Sequence, residues 1–138
     1  MEGGLLKVKI CTPKKIVVNE DCEKLVVPAE KGPMAVLDRR APAIAALTMG
    51  MVSVVLQGGQ PQDFFIDNGF ARVNNNVCLI AVDEAISSRD INKMDVANSL
   101  NALKSAYNQE KTAEIKEDLM RRIAFAEYII AELDKGRL

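Results

Sequence analysis

The chain has 138 residues, 49% of them hydrophobic, 27% charged and only 4% aromatic, with 18 basic and 19 acidic side chains and no histidine. That apolar content supports a packed aliphatic core and excludes intrinsic disorder, while a net charge of −1 offers no field for nucleic acid or an anionic membrane. Without histidine, Ser-His-Asp and Cys-His catalysis are excluded and a zinc site would have to draw on carboxylates.

The three cysteines, Cys11, Cys22 and Cys78, include no CxxC pair and read as reduced structural thiols. No basic stretch leads into an apolar leader segment, and no apolar run approaches the ~20 residues of a membrane span. The expectation is a soluble chain with no direct membrane insertion.

In chain order, Leu6, Val8 and Ile10 alternate with Lys7, Lys9 and Cys11, the period of a half-buried strand with lysines outside. Thr12-Pro13 leads into Ile16 to Val18. A polar turn is predicted at Asn19 to Asp21, and a third strand, Leu25 to Val27, ends at Pro28. The stretch Gly32 to Val55 then packs three apolar runs between Gly and Pro: Met34 to Leu37, Ala43 to Leu47, and the run from Met51. Pro42 fixes a bend after Arg39 and Arg40, and Gly50 is assigned a turn. Gln57-Gly58-Gly59-Gln60-Pro61 reads as a hairpin loop before Phe64 to Ile66. Asn68-Gly69 and Asn74-Asn75-Asn76 are turns bounding the strands Phe70 to Val73 and Val77 to Val82.

At Ser87 the texture changes, because all five prolines and seven of the eight glycines lie before it. Asp90 is the predicted cap of a first helix whose Val96, Leu100, Leu103 and Tyr107 share a face. Asn108 to Thr112 breaks the pattern. From Ala113 a second helix keeps Ile115, Leu119, Ile123, Ala126, Ile130 and Leu133 on one face. Phe125, Tyr128 and Ile129 lie off that stripe, so this helix has apolar surface to spare, either for the β part or for a partner. The reading is α+β in two parts: an N-terminal all-β sandwich of about nine to ten short strands over residues 1–87, and an antiparallel helical hairpin over 88–138.

No catalytic constellation emerges. Asp83-Glu84 and Glu117-Asp118 are adjacent acids whose side chains diverge, and Gly58-Gly59 lacks the Lys-Ser/Thr of a phosphate loop. Cys22, placed in the polar turn, is the one thiol expected to be exposed, and with it stands a third, remote reading as a small cysteine enzyme. Arg39 and Arg40 beside Pro42 suit docking on carboxylates or backbone carbonyls, or are simply solvated. Arg121 and Arg122 invite the same two readings, with Glu117 and Asp118 in reach for intrahelical pairing.

The elements together resemble the epsilon subunits of F-type ATP synthases. Gly32, the strand Met34 to Leu37, Arg39-Arg40-Ala41-Pro42, Ala43 to Leu47 and Met49-Gly50 follow the family's order and spacing, although Arg40 stands where the family has the histidine of Gly-His-Ala-Pro. Asn68-Gly69, Phe70 to Val73, Asn75-Asn76, Val77 to Ile80 and Ala81-Val82-Asp83-Glu84-Ala85 follow its second half, and Arg89-Asp90-Ile91-Asn92 its link into a helix.

The resemblance implies a non-catalytic rotor subunit, without a cofactor, that couples the gamma subunit and membrane ring to the catalytic head. It puts Glu30, Lys31, Gly32, Pro33 and Met34, with Arg39, Arg40 and Pro42, against the ring or stalk. The hairpin would reach the head through Arg121, Arg122, Phe125, Tyr128 and Ile129 and restrain ATP hydrolysis. It implies the cytoplasmic face of a bacterial inner membrane. Some members bind ATP through Ile/Leu-Asp-x-x-Arg-Ala, but here the element reads Ile91-Asn92-Lys93-Met94-Asp95-Val96. An amide replaces the acid and an acid replaces the arginine, so weak or no ATP binding is expected. The alternative is an unrelated β-sandwich adaptor whose hairpin docks on another protein.

Overall fold

A computed structural model describes residues 4–135. The chain forms two compact units that part between Arg89 and Asp90. The first is a sandwich of nine strands: β1 Leu6–Cys11, β2 Ile16–Ala29, β3 Gly32–Val36, β4 Ala43–Leu47, β5 Gly50–Leu56, β6 Pro61–Ile66, β7 Gly69–Asn74, β8 Val77–Val82 and β9 Ala85–Ser87. One layer runs β4, β7, β8, β1 and the first half of β2. The other runs β3, the second half of β2, β5, β6 and β9. β4 closes back on β2 at one pair, Leu47 with Ala29. Most neighbours are antiparallel, but β1 and β8 are parallel, with Val8 opposite Cys78 and Ile10 opposite Ile80.

The strands form because inward positions alternate with outward ones. Leu6, Val8 and Ile10 of β1, Ala71 and Val73 of β7, and Cys78, Ile80 and Val82 of β8 are buried in one cluster with Leu25, Val27, Val36, Leu47, Val52, Val54, Phe64 and Ile66. Valine dominates this list, and a β-branched side chain fits a pleated, half-buried surface. Each fully buried large side chain contributes about 1.5–3 kcal/mol.

Three expectations about β2 are corrected. No turn occurs at Asn19 to Asp21: β2 runs unbroken for 14 residues. Its polar stretch pairs with the lysine side of β1, Asn19 opposite Lys9 and Asp21 opposite Lys7, with Lys7 Nζ 4.0 Å from Asp21. Hydrophilic residues here mark the wet face of a strand. Nor does Pro28 end the strand. It faces Pro33 across the β2–β3 ladder, and its carbonyl accepts a hydrogen bond from Thr48 N–H at 2.9 Å. Cys22, lying in β2 and not in a turn, is buried.

The glycines divide into two kinds. Gly58 and Gly59 take positive φ (95° and 81°) in the β5–β6 loop, as the hairpin requires, and Asn75 and Asn76 (51° and 61°) do the same between β7 and β8. Gly50 makes no turn: it opens β5, where a Cβ would come within 2.8 Å of Pro28. Gly69 likewise begins β7 because a Cβ there would lie 2.0 Å from the Ala81 carbonyl oxygen.

The second unit is a pair of helices, α1 Lys93–Gln109 and α2 Ala113–Asp134. The α1 cap is Asn92 and not Asp90, which lies in a single 3₁₀ turn, Ser88–Asp90. Asn92 Oδ1 accepts from Met94 N–H at 2.9 Å and Asp95 N–H at 3.2 Å, satisfying two of the helix's orphan donors. The helices are antiparallel: Lys93 pairs with Asp134, Lys104 with Glu127 at 3.6 Å, and Lys116 Nζ lies 4.6 Å from the Tyr107 ring centre. Val96, Leu100, Leu103 and Tyr107 are the half-buried stripe of α1. On α2, Leu119, Ile123, Ala126, Ile130 and Leu133 are sheltered while Ile115 is exposed. At that end Lys116 covers Tyr107 instead.

The two kinds of glycine respond differently to alanine. Gly69→Ala drives a methyl group into backbone and should cost about 3 kcal/mol or more. Gly58→Ala, with open space around it, should cost about 1 kcal/mol from φ alone. Urea unfolding of the two variants checks the difference, and equal losses would refute the packing role of Gly69.

Candidate functional site

The chemistry of the thiols bears first on what the site is. Cys22 and Cys78 both point into the core. Burial pushes Cys22 up to about 11, with the Asp21 charge adding to it, and burial pushes Cys78 up to about 12. Each sits opposite β1, Cys22 across from Leu6 and Cys78 across from Val8, so a full strand separates them. Neither is a nucleophile at neutral pH. Among the described residues no three His, Cys, Asp or Glu side chains gather as a metal site.

The arginine turn is a built feature. Arg39 takes φ 65°, and its N–H donates to Asn76 Oδ1 at 2.6 Å. Asn76 in turn donates through Nδ2 to the Leu5 carbonyl at 3.4 Å, and its own carbonyl accepts from Lys7 N–H at 2.9 Å. One asparagine at positive φ thereby ties the β3–β4 loop, the β7–β8 turn and the start of β1 together. Asp38 adds a bond from Gly4 N–H at 3.1 Å. The Arg39 side chain is 91% exposed on this fixed backbone. Arg40 is also exposed and reaches Met34, with Nη2 3.6 Å from Sδ. Pro42 follows in the open.

Glu30 and Lys31 form the exposed two-residue tip between β2 and β3, Gly32 takes φ 126° behind it, and Pro33 is exposed. Glu30 N–H donates to the Ala46 carbonyl at 3.0 Å, which fixes this tip beside the end of β4. Arg39 lies beside Asn76, next to the start of β4, where Ala43 faces Val73. The candidate contacts thus fall toward opposite ends of β4, linked by Met34 and Arg40.

Between those ends lies a surface that the sequence did not single out. The outward positions of β4, β7 and β8 are largely apolar: Ile44 is 74% exposed, Phe70 45% and Val77 38%, with Ala46, Leu79 and Ala81 beside them. The available signal was that β4, AIAAL, is apolar at every position, where a strand wet on one face alternates. The run reads as core, and half of it is surface.

On α2, Arg121 and Arg122 are exposed, and both reach Asp118, at 3.1 and 3.0 Å. Phe125 and Ile129 are buried and Tyr128 half-buried. Among the described residues no helix is long and apolar enough to cross a membrane.

A family model described as ATP synthase, Delta/Epsilon chain, beta-sandwich domain matches residues 5–88, the extent of the first unit. The chain is 30% identical over 132 residues to the chloroplastic ATP synthase epsilon chain of Nephroselmis olivacea, covering 94% of this chain and 98% of that one. It is 25% identical over 127 residues to the ATP synthase epsilon chain of Rhizobium rhizogenes, covering 92% and 94%. A chain in the mitochondrial ATP synthase of Euglena gracilis shares the fold, with a TM-score of 0.71 at 20% identity over 96% of this chain and 89% of that one.

The buried thiols make the fold sensitive to alkali. Both pKa values lie above the ordinary 9.0, so the folded chain holds these protons more tightly than the unfolded one. Their contribution is whole below pH 9.0 and is lost as pH rises through about 11 to about 12. Urea midpoints should therefore fall between about pH 8 and about pH 10.5 by more in the natural chain than in Cys22→Ala/Cys78→Ala. In native protein at neutral pH, iodoacetamide should reach half-buried Cys11 and spare the other two; rapid labelling of Cys22 would contradict its burial.

Proposed function

We propose, from the premise that this chain belongs to the ATP synthase delta/epsilon family, that it works as a central-stalk subunit of a rotary ATP synthase. The family is non-catalytic, and the chain's place is in a complex peripheral to a membrane. The observation that carries this reading is the agreement of the family match with the sandwich, residues 5–88, together with relatives that extend through the helices at nearly full length.

In this reading the sandwich is the anchor, meeting the gamma subunit and the membrane ring through the Glu30–Lys31 tip, the edge at Gly32 to Met34, and the turn Arg39, Arg40 and Pro42. The fixed backbone at Arg39 supports the assignment, since a loop ordered before docking loses less entropy on binding. The helices are the regulator, acting on the catalytic head. In its favour, α1 buries no residue fully, and Met94, Ile115 and Met120 leave apolar surface open on the pair. Arg121 and Arg122 are poised for an acidic partner at the cost of exposed pairs with Asp118, each worth about 0.5 kcal/mol. Phe125, Tyr128 and Ile129 would join only after a rearrangement that uncovers them. The cytoplasmic face of a bacterial inner membrane is the proposed location.

The test is the ATP hydrolysis rate of the cognate catalytic head and stalk, stripped of this chain and titrated with it whole or cut after Ser87. Both forms should bind and only the whole chain should slow hydrolysis. Inhibition by neither would leave the anchor without the brake, and failure of both to bind would overturn the reading.

ATP is not a ligand in this proposal. Asn92 Oδ1 is engaged as the α1 cap, and Asp95 sets a negative charge in the first turn, where it favours the helix dipole and repels phosphate. Titration calorimetry with Mg-ATP should give no binding in the micromolar range; a tight isotherm would refute this.

A further inference from the structure

Resting on the stalk reading, we propose that the outer face of β4, β7 and β8 is the sandwich's principal docking surface, and that it takes an apolar protein surface presenting a carboxylate to Arg72. Arg72 sits on β7 directly between Ile44 on β4 and Leu79 on β8, with Phe70 two residues away on the same face. Arg72 is exposed, and no hydrogen bond or ion pair among the described residues engages it. Of the carboxylates on the outward side of this layer, Asp21 on β2 is three strands away, roughly 14 Å at ordinary strand spacing, and held by Lys7 at 4.0 Å, while Asp83 lies past the end of β8, beyond Leu79 and Ala81.

This arrangement fixes the partner's chemistry. Ile44 at 74% exposed and Phe70 at 45% favour cover by apolar atoms. Covering them also removes water from Arg72, and a guanidinium dried without a counter-charge is strongly disfavoured. A purely apolar surface is therefore rejected, and so is a basic one. A carboxylate set among apolar side chains satisfies both demands, and arginine's planar fork suits it in two-bond geometry. A second copy of this chain does not fit, since its equivalent face would bring Arg72 toward Arg72.

The experiment is binding of the full chain to the cognate head and stalk stripped of it, by surface plasmon resonance. The variants are Ile44→Asp, Arg72→Glu and, on the other layer, Lys24→Glu as control. Exposed positions should leave the melting temperature unchanged. Ile44→Asp and Arg72→Glu should each weaken binding roughly 30-fold or more, and Lys24→Glu should leave it as it was. If the natural chain binds and both variants bind equally well, this face is not the docking surface, while the stalk reading stands. If the natural chain does not bind at all, the stalk reading itself fails. Sedimentation showing a dimer that Ile44→Asp dissociates would assign the face to a second copy and overturn the proposal.

Discussion

The sandwich hangs on β2 belonging to both layers. Its first half pairs with β1, its second with β3 on one side and β5 on the other, and the register shifts between Cys22 and Lys24 where it passes between layers. Strands that change sheets need a local irregularity to do so. Cys22, at that point, turns inward while Glu23 and Lys24 stay wet. A small, adaptable side chain is what the crossing tolerates, and its burial is why a thiol in this position is chemically quiet. The parallel β1–β8 pair completes the circuit that β2 begins, so that most of the inward positions form one cluster.

The same circuit determines which parts of the surface are rigid. With β1 caught between β2 and β8, its first residues meet the β7–β8 turn, and Asn76 joins Leu5, Lys7 and Arg39 at one point. The loop carrying Arg39 and Arg40 is thereby held by the core it sits over. At the other end of β4, the Glu30–Lys31 tip is fixed by Glu30 to Ala46 and by Pro28 to Thr48. A face bounded by two anchored loops and floored by three strands is stiff, and its exposed apolar side chains can be displayed without local collapse.

Much of this was legible in the sequence, and what was not has a common cause. The alternation of Leu6, Val8 and Ile10, the Gly58-Gly59 hairpin, the Asn75-Asn76 turn and the start of α2 at Ala113 are local signals, and they appear where periodicity and turn chemistry put them. Asn19 to Asp21 and Gly50 were misassigned because the deciding partner is distant in the chain, Lys7 and Lys9 for the one and Pro28 for the other, while the turn at Asn68-Gly69 falls where it was put but its glycine answers to the Ala81 carbonyl. A glycine needed for close approach looks identical, in sequence, to one needed for positive φ. The Asp90 cap was displaced by Asn92 because a 3₁₀ turn intervenes, which a one-residue capping preference does not foresee. Of the candidate site, the arginine turn was legible as charge beside proline, but its tether to Asn76 was not. The Ile44–Phe70 face was hidden since an apolar run does not say which of its side chains meet water.

The two units differ in what holds them. Eighteen buried residues bind the sandwich strands into one body, whereas α1 contributes none and α2 four, Phe125, Ala126, Ile129 and Glu132. Contact between the helices rests on a half-buried stripe and on exposed charge pairs that are each worth under about 1 kcal/mol. An element held so lightly along its own length can exchange one set of apolar neighbours for another at small cost, while the sandwich cannot. The asymmetry gives the two units different stiffness: the β unit keeps its shape through one shared core, and the helices keep theirs through a thinner seam.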